Sequence, residues 1–313
     1  QLSHVVQPAG VRVAVRQQMI SGGLPINKED GPTSFQVTSR AKGLYCASKA
    51  GHMGTLDPHA RGVLVVLFGA STKLIPYAKE HKKSYTAKFK LGFTSNTYDA
   101  WGQLTEHGYN GDTTKEHIEA ILSQFIGKTE QIPPMFSAKK IEGTRLYELA
   151  MKGIELPRKP QPIEIDELKL NFWDQSSGEG KFNLTCTKGT YVRSLISDIG
   201  IHAGCGAIMT ALTRTSDQGF NLEQSVSISK IEEHVFEGTH LDLIIPPEHF
   251  LSHLPEVRVS TRQQEILYHG NPVNLRSPTA RAGLAKIFGS KEKLVGIGKY
   301  VPATGQLLPE RML

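Results

Sequence analysis

Two kinds of strand pattern mark the hydrophobic positions of this chain. Residues 62–69, GVLVVLFG, form a continuous apolar run bounded by glycines, which is typical of a strand buried on both faces. Residues 84–91 and 181–188 instead alternate apolar and polar side chains. That alternation predicts two strands with one buried face each.

The clearest helical pattern covers residues 114–126, where apolar residues recur every three or four positions. Thr113 followed by Glu116 predicts a capping box at its start. Shorter helices are predicted over residues 144–152 and 192–203. Each predicted helix is followed by a glycine, the usual residue beyond a helix C-terminus, at Gly127, Gly153 and Gly204.

Strands and helices are interspersed without a regular βαβ rhythm, which favours an α+β domain with a mixed, largely antiparallel sheet flanked by helices. A proline-flanked stretch near residues 246–255 predicts a domain boundary. We therefore expect a main domain over residues 23–248 and a small β-rich module over residues 249–313. That module contains strand-like pieces at 256–259, 283–288 and 294–300. Residues 1–22 are expected to be a poorly ordered basic extension.

The charge of the chain is unevenly distributed. The formal net charge is +6 and the sequence pI is near 9.1. From Leu251 onward the chain holds nine Lys and Arg residues against four Asp and Glu. A basic appendage suits binding to a polyanion such as nucleic acid, although a solvated basic face has the same composition.

Cysteine content and hydropathy exclude several protein classes. Cys46, Cys186 and Cys205 show no CxxC spacing, so neither a disulfide framework nor a zinc site is expected. No apolar run approaches the roughly 20 residues of a membrane span. Arg12 and Arg16 are not followed by the apolar core of a secretory signal. We therefore expect a cytoplasmic protein.

The first candidate for chemistry is the loop Gly51–Leu64, GHMGTLDPHARGVL, in which Asp57 stands just before the strand buried on both faces. An Asp-Pro turn taken alone is usually structural. Here three glycines allow close backbone approach, and His52 lies five residues away. Catalytic and binding residues often lie in loops at strand ends. Asp57 is therefore the candidate essential carboxylate.

The second candidate cluster, Lys188–Arg193, lies where a predicted strand gives way to a predicted helix. Tyr191 and Arg193 emerge at this junction. An arginine there can pair with a carboxylate or a phosphate, and a surface arginine without a partner is the alternative.

The third candidate cluster covers residues 131–140, where Pro-Pro is followed by Lys139 and Lys140, with Arg145 and Tyr147 close behind. Basic groups interleaved with aromatic rings suit single-stranded RNA, because phosphates contact the cations and bases stack on the rings. A plain basic loop would show the same residues.

Motifs for other chemistries are missing from the sequence. There is no HExxH, no GxSxG elbow and no GxxxxGK[ST] loop. The Gly204-Cys-Gly206 segment lacks the third glycine of a dinucleotide fingerprint, so no nucleotide cofactor is expected. His249 and His253 have i, i+4 spacing but no evident acidic third ligand, so a metal-dependent hydrolase rests on these two residues alone.

Taken together, the three clusters resemble the TruB family of tRNA pseudouridine synthases, which convert uridine 55 in the T-loop of tRNA. The resemblance runs from about Leu24 to the end of the chain and rests on short motifs in a shared order. The motifs are Asn27–Ser34, Gly51–Pro58, Lys83–Tyr85, Leu91–Gly92, Thr97–Gly102, Pro133–Lys139, Gly143–Tyr147, Lys188–Arg193 and Gly204–Arg214.

The resemblance implies the pseudouridine synthase fold, a mixed and largely antiparallel sheet flanked by helices and crossed by a cleft. It also implies a C-terminal PUA-like RNA-binding module, which agrees with the basic β-rich tail. The implied partner is tRNA. We expect no cofactor, no metal and no membrane association, and we expect a monomer.

Roles are implied residue by residue. Asp57 matches the catalytic aspartate and Arg193 the arginine that pairs with it. Tyr85 matches the tyrosine that stacks on the target base and is a candidate to accept a proton from the sugar. The remaining matches are Tyr191 in the same pocket, Leu212 as an apolar pocket wall, His52 as the filler of the space left by the flipped nucleotide, and Lys28 as a lysine near the active site. Candidate RNA contacts are Arg61, Lys139, Lys140 and Arg145.

The chain departs from the common family pattern GHTGTLDPLATGVL at Met53, His59 and Arg61, and from PPxYSA at Phe136. None of these changes removes a residue with an implied catalytic role. Besides the metal-dependent hydrolase, two other functions remain open from the sequence. One is a non-catalytic RNA-binding or RNA-folding protein, and the other is a related synthase that acts on another RNA within a protein–RNA particle.

Overall fold

The computed structural model describes residues 3–6, 12–15, 20–137, 140–141, 143–154, 156–275 and 282–313. The strands are β1 (Ser3–Val6), β2 (Arg12–Val15), β3 (Gly22–Lys28), β4 (Ala50–His52), β5 (Ala60–Phe68), β6 (Lys83–Leu91), β7 (Phe93–Ser95), β8 (Leu104–Glu106), β9 (Gly127–Gln131), β10 (Lys140–Ile141), β11 (Thr144–Arg145), β12 (Gln161–Asp174), β13 (Glu179–Cys186), β14 (Ala207–Asp217), β15 (Phe220–Asn221), β16 (Glu256–Arg258), β17 (Val273–Asn274), β18 (Gly283–Phe288), β19 (Leu294–Val301) and β20 (Gln306–Met312).

The α-helices are α1 (Ser34–Leu44), α2 (Lys115–Ser123), α3 (Leu146–Ala150), α4 (Val192–His202), α5 (Ile228–Glu237) and α6 (Thr261–Tyr268). Three 3-10 helices span Gly69–Tyr77, His240–Leu243 and Pro247–Leu251. Within the described ranges, none of these helices is long and apolar enough to cross a membrane.

Nine of the described strands form the main sheet. Seven lie side by side in the order β3-β5-β14-β6-β13-β12-β9, while β4 pairs with β5 and β15 with β14. The pairs are antiparallel except for β5 with β14, which run parallel. The main hydrophobic core lies where helices such as α1 and α4 pack on this sheet. The predicted α+β class with a mixed, largely antiparallel sheet is confirmed.

Strand β5 is buried on both faces. Its even-numbered side chains from Leu64 to Phe68 enter the main core, and its odd-numbered side chains from Val63 to Leu67 enter a second cluster with Phe220 and Phe250. All of these β5 side chains are fully buried. The interpretation of the continuous apolar run is therefore confirmed, and the aspartate loop leads into the most enclosed strand of the sheet.

Helix α2 begins one residue later than predicted. Thr114 is the N-cap, and its hydroxyl accepts the backbone N–H of His117 at 3.3 Å. The predicted capping box between Thr113 and Glu116 is therefore wrong. Thr113 is buried instead, and its carbonyl accepts the indole N–H of Trp173 at 3.1 Å.

Helix α3 is shorter than the predicted span 144–152, because β11 pairs with β10 and occupies the first two of those residues. Helix α4 nearly fills its predicted span of 192–203. Gly204 follows α4 with a φ of 76°, a left-handed conformation that glycine adopts without a steric penalty.

The N-terminal segment contains two paired strands. β1 and β2 are antiparallel, with Ser3 opposite Val15, and Ile20 is buried in the main core. Residues 1–2, 7–11 and 16–19 lie outside the described residues, so the extent of the expected extension stays a prediction.

The C-terminal residues build a separate five-stranded sheet in the order β16-β18-β19-β20-β17. Its core includes Leu267 of α6, Ile287 of β18 and Leu307 of β20. The strand-like pieces predicted near 256, 283 and 294 correspond to β16, β18 and β19. The sheet begins at Glu256, and the predicted domain boundary at residue 249 stays a prediction.

The two sheets share a small hydrophobic cluster. Leu74 after β5, Leu251 and Ile297 of β19 are fully buried together. The ammonium of Lys73 donates to the carbonyl of Met312 at 2.9 Å. The C-terminal sheet is thus packed against the segment that follows β5.

Candidate active site

A pocket of about 290 Å³ lies at one end of the main sheet. Its walls come from the loop before β5, the start of β6, the connection between β13 and α4, the middle of β14 and the segment after β9. It brings together five of the residues predicted from the sequence, namely Asp57, Tyr85, Tyr191, Arg193 and Leu212.

Strand register explains why residues far apart in sequence meet here. Tyr85 lies opposite Arg214 in the antiparallel pair of β6 and β14. Leu212 lies beside Ala60 in the parallel pair of β14 and β5, just after the aspartate loop. Side chains two apart in a strand share a face, so Lys83 and Tyr85 point to the same side of β6.

Asp57 and Arg193 form an ion pair in the pocket. The Arg193 Nε lies 2.8 Å from Asp57 Oδ2, and its Nη2 donates to Asp57 Oδ1 at 3.2 Å. The Asp57 side chain is 40% exposed, whereas that of Arg193 is 6% exposed. Two parallel donors fix both the position and the plane of the carboxylate. The carboxylate of Asp57 therefore faces the pocket and is held in place by the buried guanidinium of Arg193.

The guanidinium of Arg193 joins three further points of the chain. It donates to the carbonyl of Thr97 at 2.9 Å and to that of Phe136 at 2.8 Å. Its Nη1 also lies 3.8 Å from the carboxylate of Asp99. A buried charge is stable only when its donors are satisfied, and these contacts satisfy them. Arg193 is fixed before any substrate arrives.

The segment after β9 is tied to the start of α4. The side-chain amide of Gln131 donates to the Tyr191 carbonyl at 3.0 Å and accepts the Tyr191 N–H at 2.7 Å. The hydroxyl of Ser194 donates to the carbonyl of Ile132 at 3.3 Å. These contacts place Phe136 beside Arg193.

Ser137, for which the sequence suggested no individual role, forms part of the pocket wall. The residue is 5% exposed, and its buried hydroxyl has no hydrogen-bond partner in the part of the chain that the structure describes. A buried hydroxyl that lacks a partner is costly, so a ligand atom in the pocket would gain a ready donor or acceptor here.

Tyr85 and Leu212 are each 7% exposed and form the apolar part of the pocket wall. Burial raises the pKa of Tyr85 to about 12, so its phenol stays protonated at neutral pH. Tyr191, the N-cap residue of α4, supplies a second aromatic ring to the lining.

Lys28 lies behind the aspartate loop and does not line this pocket. Its ammonium donates to the carbonyls of Pro58 and Ala60, each at 2.7 Å, and to that of Glu29 at 2.9 Å. Burial lowers the pKa of Lys28 to about 8. The residue is 1% exposed, and its hydrogen bonds stabilise the conformation of the loop after Asp57.

A buried charge cluster under the aspartate loop was missed by sequence reasoning. Arg214 is 1% exposed and donates to the carbonyls of Val63 at 2.7 Å and Gly54 at 3.0 Å. The Oδ2 atom of Asp217 lies 3.3 Å both from Arg214 Nη2 and from Lys83 Nζ. Burial, followed by the charge of Arg214, lowers the pKa of Lys83.

The signal for this cluster was present in the strand spacing. Lys83 stands two residues before Tyr85 and Arg214 two residues after Leu212, so each cation shares a strand face with a pocket residue. A buried arginine inside a strand was not anticipated, because arginine is mostly exposed unless it is paired.

His52 lies on β4 opposite Val66 and does not line the pocket. Its buried Nδ1 has no hydrogen-bond partner among the described residues. Burial, with the charges of Arg214 and Lys83, lowers the pKa of His52, which favours the neutral ring.

The candidate RNA contacts are placed only in part. The side chain of Arg61 is 62% exposed and lies 3.4 Å from Asp30. Lys139 lies outside the described residues. Lys140 and Arg145 lie in the paired strands β10 and β11, and their side chains are not described.

The histidines considered as metal ligands have other surroundings. The ring of His249 packs on that of Phe220, with centroids 5.3 Å apart. Burial, followed by the charge of Lys79, lowers the pKa of His253. Across the described ranges, no group of three His, Cys, Asp or Glu side chains is arranged to hold a metal ion.

Family models match most of the chain, from residue 42 onward. The model described as TruB family pseudouridylate synthase (N terminal domain) matches residues 42–192. The tRNA pseudouridylate synthase B C-terminal domain matches residues 193–252, and the C-terminal model of pseudouridine synthase II TruB matches residues 255–313.

Individual relatives agree with the family models. The tRNA pseudouridine synthase B of Dechloromonas aromatica is 38% identical over 95% of this chain and 96% of its own length. The tRNA pseudouridine synthase B of Clostridium kluyveri is 39% identical over 89% of this chain and 95% of its own length.

Solved structures share the fold. A chain of a Cbf5-Nop10-Gar1 complex matches with a TM-score of 0.66 and 26% identity, over 90% of this chain and 78% of that one. A chain of an H/ACA RNP bound to a substrate RNA matches with a TM-score of 0.67 and 22% identity, over 93% of this chain and 84% of that one. The second likeness concerns the fold alone.

Proposed function

Because the chain belongs to the TruB family of pseudouridylate synthases, we propose that it isomerises uridine to pseudouridine at position 55 in the T-loop of tRNA. The observation that carries the proposal is the carboxylate of Asp57, which a buried Arg193 holds at 2.8 Å in a pocket that also contains Tyr85. The same pocket brings together five of the seven residues to which the family resemblance assigned roles, with His52 and Lys28 lying outside it.

The proposed reaction breaks the N1–C1′ bond of uridine and forms a C5–C1′ bond. The C5 proton is lost and N1 gains a proton, so the overall change is an isomerisation with no net redox step. Such a reaction can proceed on side chains alone. The residues that act must therefore lie in the pocket with the nucleotide.

The size of the pocket supports base flipping. A space of about 290 Å³ suits a single nucleoside and cannot admit a helical RNA segment. The target base must then leave its stack to reach Asp57, as it does in other enzymes that act on bases within folded nucleic acid. Tyr85, Tyr191 and Leu212 would contact the extruded nucleotide.

Asp57 must be ionised to act on the ribose, either by attack at C1′ or by removal of the C2′ proton. The carboxylate is 40% exposed, and the buried guanidinium of Arg193 contacts both of its oxygens. Arg193 is thus proposed to hold Asp57 aimed at the sugar.

The remaining residues are proposed to support this step. Tyr85 stacks on the base, and its hydroxyl forms a hydrogen bond with the sugar. His52 enters the space that the flipped nucleotide leaves, and Lys28 keeps the shape of the loop after Asp57. Arg61, Lys139, Lys140 and Arg145 are proposed to contact the RNA backbone, together with the basic C-terminal sheet.

Tritium release tests the proposal directly. A tRNA transcript that carries 5-tritiated uridine is incubated with the protein, and the released tritium is counted because C5 loses its hydrogen. Pseudouridine is then mapped in the product. We expect release from wild-type protein and modification at position 55.

Substitution of the aspartate supplies the control. Asp57→Ala and Asp57→Asn should abolish turnover while tRNA binding remains within about threefold of wild type, because both changes remove the reactive carboxylate and Asp57→Asn also keeps the size of the side chain. Substantial release by Asp57→Ala would refute the role of Asp57. Binding without release by wild type would favour a non-catalytic RNA-binding protein, and modification only of another RNA would favour a synthase with a different substrate.

A further inference from the structure

A stacked aromatic pair lies on the surface beside the active site, and the reaction proposed above does not use it. The rings of His59 and Trp101 are parallel within 4°, with centroids 4.3 Å apart. Asp30 accepts a hydrogen bond from His59 Nδ1 at 2.9 Å and lies 3.4 Å from Arg61 Nη2. We call His59, Trp101, Asp30 and Arg61 the aromatic platform.

Trp101 remains unusually exposed for its size. The residue is 42% exposed even though His59 covers one face of its ring. The side chains of His59 and Arg61 are 41% and 62% exposed. In proteins that bind single-stranded nucleic acid, exposed aromatic rings serve as surfaces on which unpaired bases stack.

The turn that carries Trp101 is held by its own hydrogen bonds. Asp99 Oδ1 accepts the Trp101 N–H at 3.1 Å and the Thr97 hydroxyl at 2.6 Å. The Ser95 hydroxyl donates to the Asp99 carbonyl at 2.6 Å. A Cβ at Gly102 would lie 2.2 Å from the Thr97 hydroxyl, so the turn depends on glycine there. The platform is therefore preorganised, which lowers the entropic cost of binding.

Both sides of the platform connect to the catalytic pair. His59 follows Asp57 by two residues in the same loop. The backbone N–H of Trp101 donates to the carboxylate of Asp99, which lies 3.8 Å from the guanidinium of Arg193. Neither His59 nor Trp101 lines the pocket itself. The platform therefore adjoins both members of the ion pair from outside the pocket.

We propose that the aromatic platform binds an unpaired base of the substrate RNA, adjacent to the flipped uridine, by stacking on Trp101, while Arg61 contacts a neighbouring phosphate. The inference rests on the proposed function, because it assumes that RNA enters the pocket. It adds a binding site that lies outside the pocket and uses His59 and Arg61, two positions at which this chain departs from the common family pattern.

The charge balance indicates that stacking contributes more than charge. Arg61 and Asp30 offset each other, and His59 adds a positive charge only when it is protonated. A base, in contrast, presents a π face to the indole whatever its identity. Stacking of this kind typically changes affinity by about tenfold or more for each base.

Tryptophan fluorescence provides the test, since the chain contains only Trp101 and Trp173. Asp57→Asn protein, which holds the RNA unreacted, is titrated with a tRNA transcript. We expect quenching of the indole emission. The quenching should disappear in the Asp57→Asn, Trp101→Phe protein and persist with Trp173→Phe, because the Trp173 indole is bonded to Thr113 within the main domain.

Affinity gives a second, graded readout. Trp101→Leu should bind tRNA about tenfold more weakly, and Trp101→Phe, which keeps a ring, less than threefold more weakly. Arg61→Thr should lower the slope of log affinity against log salt by about 1. Circular dichroism checks that each variant is folded, which we expect because the replaced side chains are exposed.

The outcomes separate this inference from the proposed function. If wild-type protein modifies tRNA but saturating tRNA leaves the Trp101 emission and the affinity of Trp101→Leu unchanged, the platform is refuted and the function stands. If tRNA quenches Trp101 but no pseudouridine forms, the RNA contact stands and the proposed reaction fails.

Discussion

The geometry around Arg193 requires a guanidinium at this position. Its donors reach Asp57, the carbonyl of Thr97 and the carbonyl of Phe136 at the same time. An ammonium keeps the charge but lacks the planar fork that serves a carboxylate and two carbonyls together. Because the residue is 5% exposed, water cannot easily replace the lost contacts.

We therefore expect Arg193→Lys to lower the single-turnover rate by about 10²–10³-fold, the usual effect of losing a preorganised contact in a site. Its affinity for tRNA should change less than threefold, because Arg193 does not reach the surface. Rapid-quench assays and filter binding measure the two quantities. A rate within fivefold of wild type would show that charge alone is sufficient.

Two substitutions of Tyr85 can separate the role of its aromatic ring from that of its hydroxyl. Because the pKa of Tyr85 is raised to about 12, the phenolate is scarce at neutral pH and the hydroxyl acts as a hydrogen-bonding group. Tyr85→Phe should keep tRNA affinity and lose at least tenfold in rate, whereas Tyr85→Leu should lose both, since the stacking ring is also removed. Equal rates for wild type and Tyr85→Phe would exclude a role for the hydroxyl and leave stacking intact.

At the scale of elements, the sequence predicted the strands whose patterns were simple. β5 and β6 were predicted because one is continuously apolar and the other alternates without interruption. β14 was not predicted, although it is the strand that brings Leu212 and Arg214 to the site. Its pairing with β6 shifts register twice, near Met209 and near Arg214, and each shift breaks the two-residue period on which the prediction depends.

The sequence predicted which residues form the site, but it did not predict the contacts that hold them in place. Family resemblance grouped Asp57, Tyr85 and Arg193, but no local pattern indicates that Arg193 also holds Phe136 and Thr97. Those contacts depend on the path of the segment after β9, which is determined by tertiary hydrogen bonds. The resemblance also implied a lysine near the active site at Lys28, but no local pattern indicates that its ammonium donates to the carbonyls of Pro58 and Ala60.

The junction between β9 and α4 can be tested on its own. Gln131 is 5% exposed and both atoms of its amide contact the backbone of Tyr191. Gln131→Glu places a carboxylate oxygen against the Tyr191 carbonyl, so we expect the free energy of unfolding to fall by about 2–4 kcal/mol. Urea denaturation measures the change.

The exposed Gln124 provides a matched control. Gln124→Glu makes the same chemical change at the C-cap of α2, where the side chain is exposed and donates to the Ala120 carbonyl at 3.4 Å, and should alter stability by less than about 0.5 kcal/mol. Equal effects of the two substitutions would show that the Gln131 contact contributes nothing specific.

At the scale of the whole molecule, the pocket and the basic end of the chain lie in different parts of the structure. The pocket belongs to the nine-stranded sheet, whereas the excess of basic residues lies from Leu251 onward, in the part of the chain that includes the five-stranded sheet. The shared cluster of Leu74, Leu251 and Ile297 fixes the second sheet to the first. An RNA held by the C-terminal sheet would therefore be presented to the pocket in a defined orientation.

Removal of exposed lysines from the C-terminal sheet tests this division. Replacing Lys291, Lys293 and Lys299 by Gln should weaken tRNA binding and reduce the salt slope by about 2–3, if each contacts a phosphate. The maximal rate at saturating tRNA should be unchanged. Lys42→Gln with Lys49→Gln, two exposed lysines near α1, is the control and should leave the slope unchanged. An unchanged slope in the triple variant would place the RNA elsewhere.

The parallel pairing of β5 with β14 has a consequence for biosynthesis. Ala60 and Leu212 are neighbours in the sheet but lie about 150 residues apart in the chain. At synthesis rates of about 5–20 residues per second, the nascent chain carries Asp57 for about 8–30 s before β14 has been made. During that interval β5 has two apolar faces and lacks one of its neighbours. Asp57 is thus translated early, whereas its pocket closes late. We therefore expect newly made protein to gain activity only after β14 has docked, and to depend until then on shielding of β5 from aggregation.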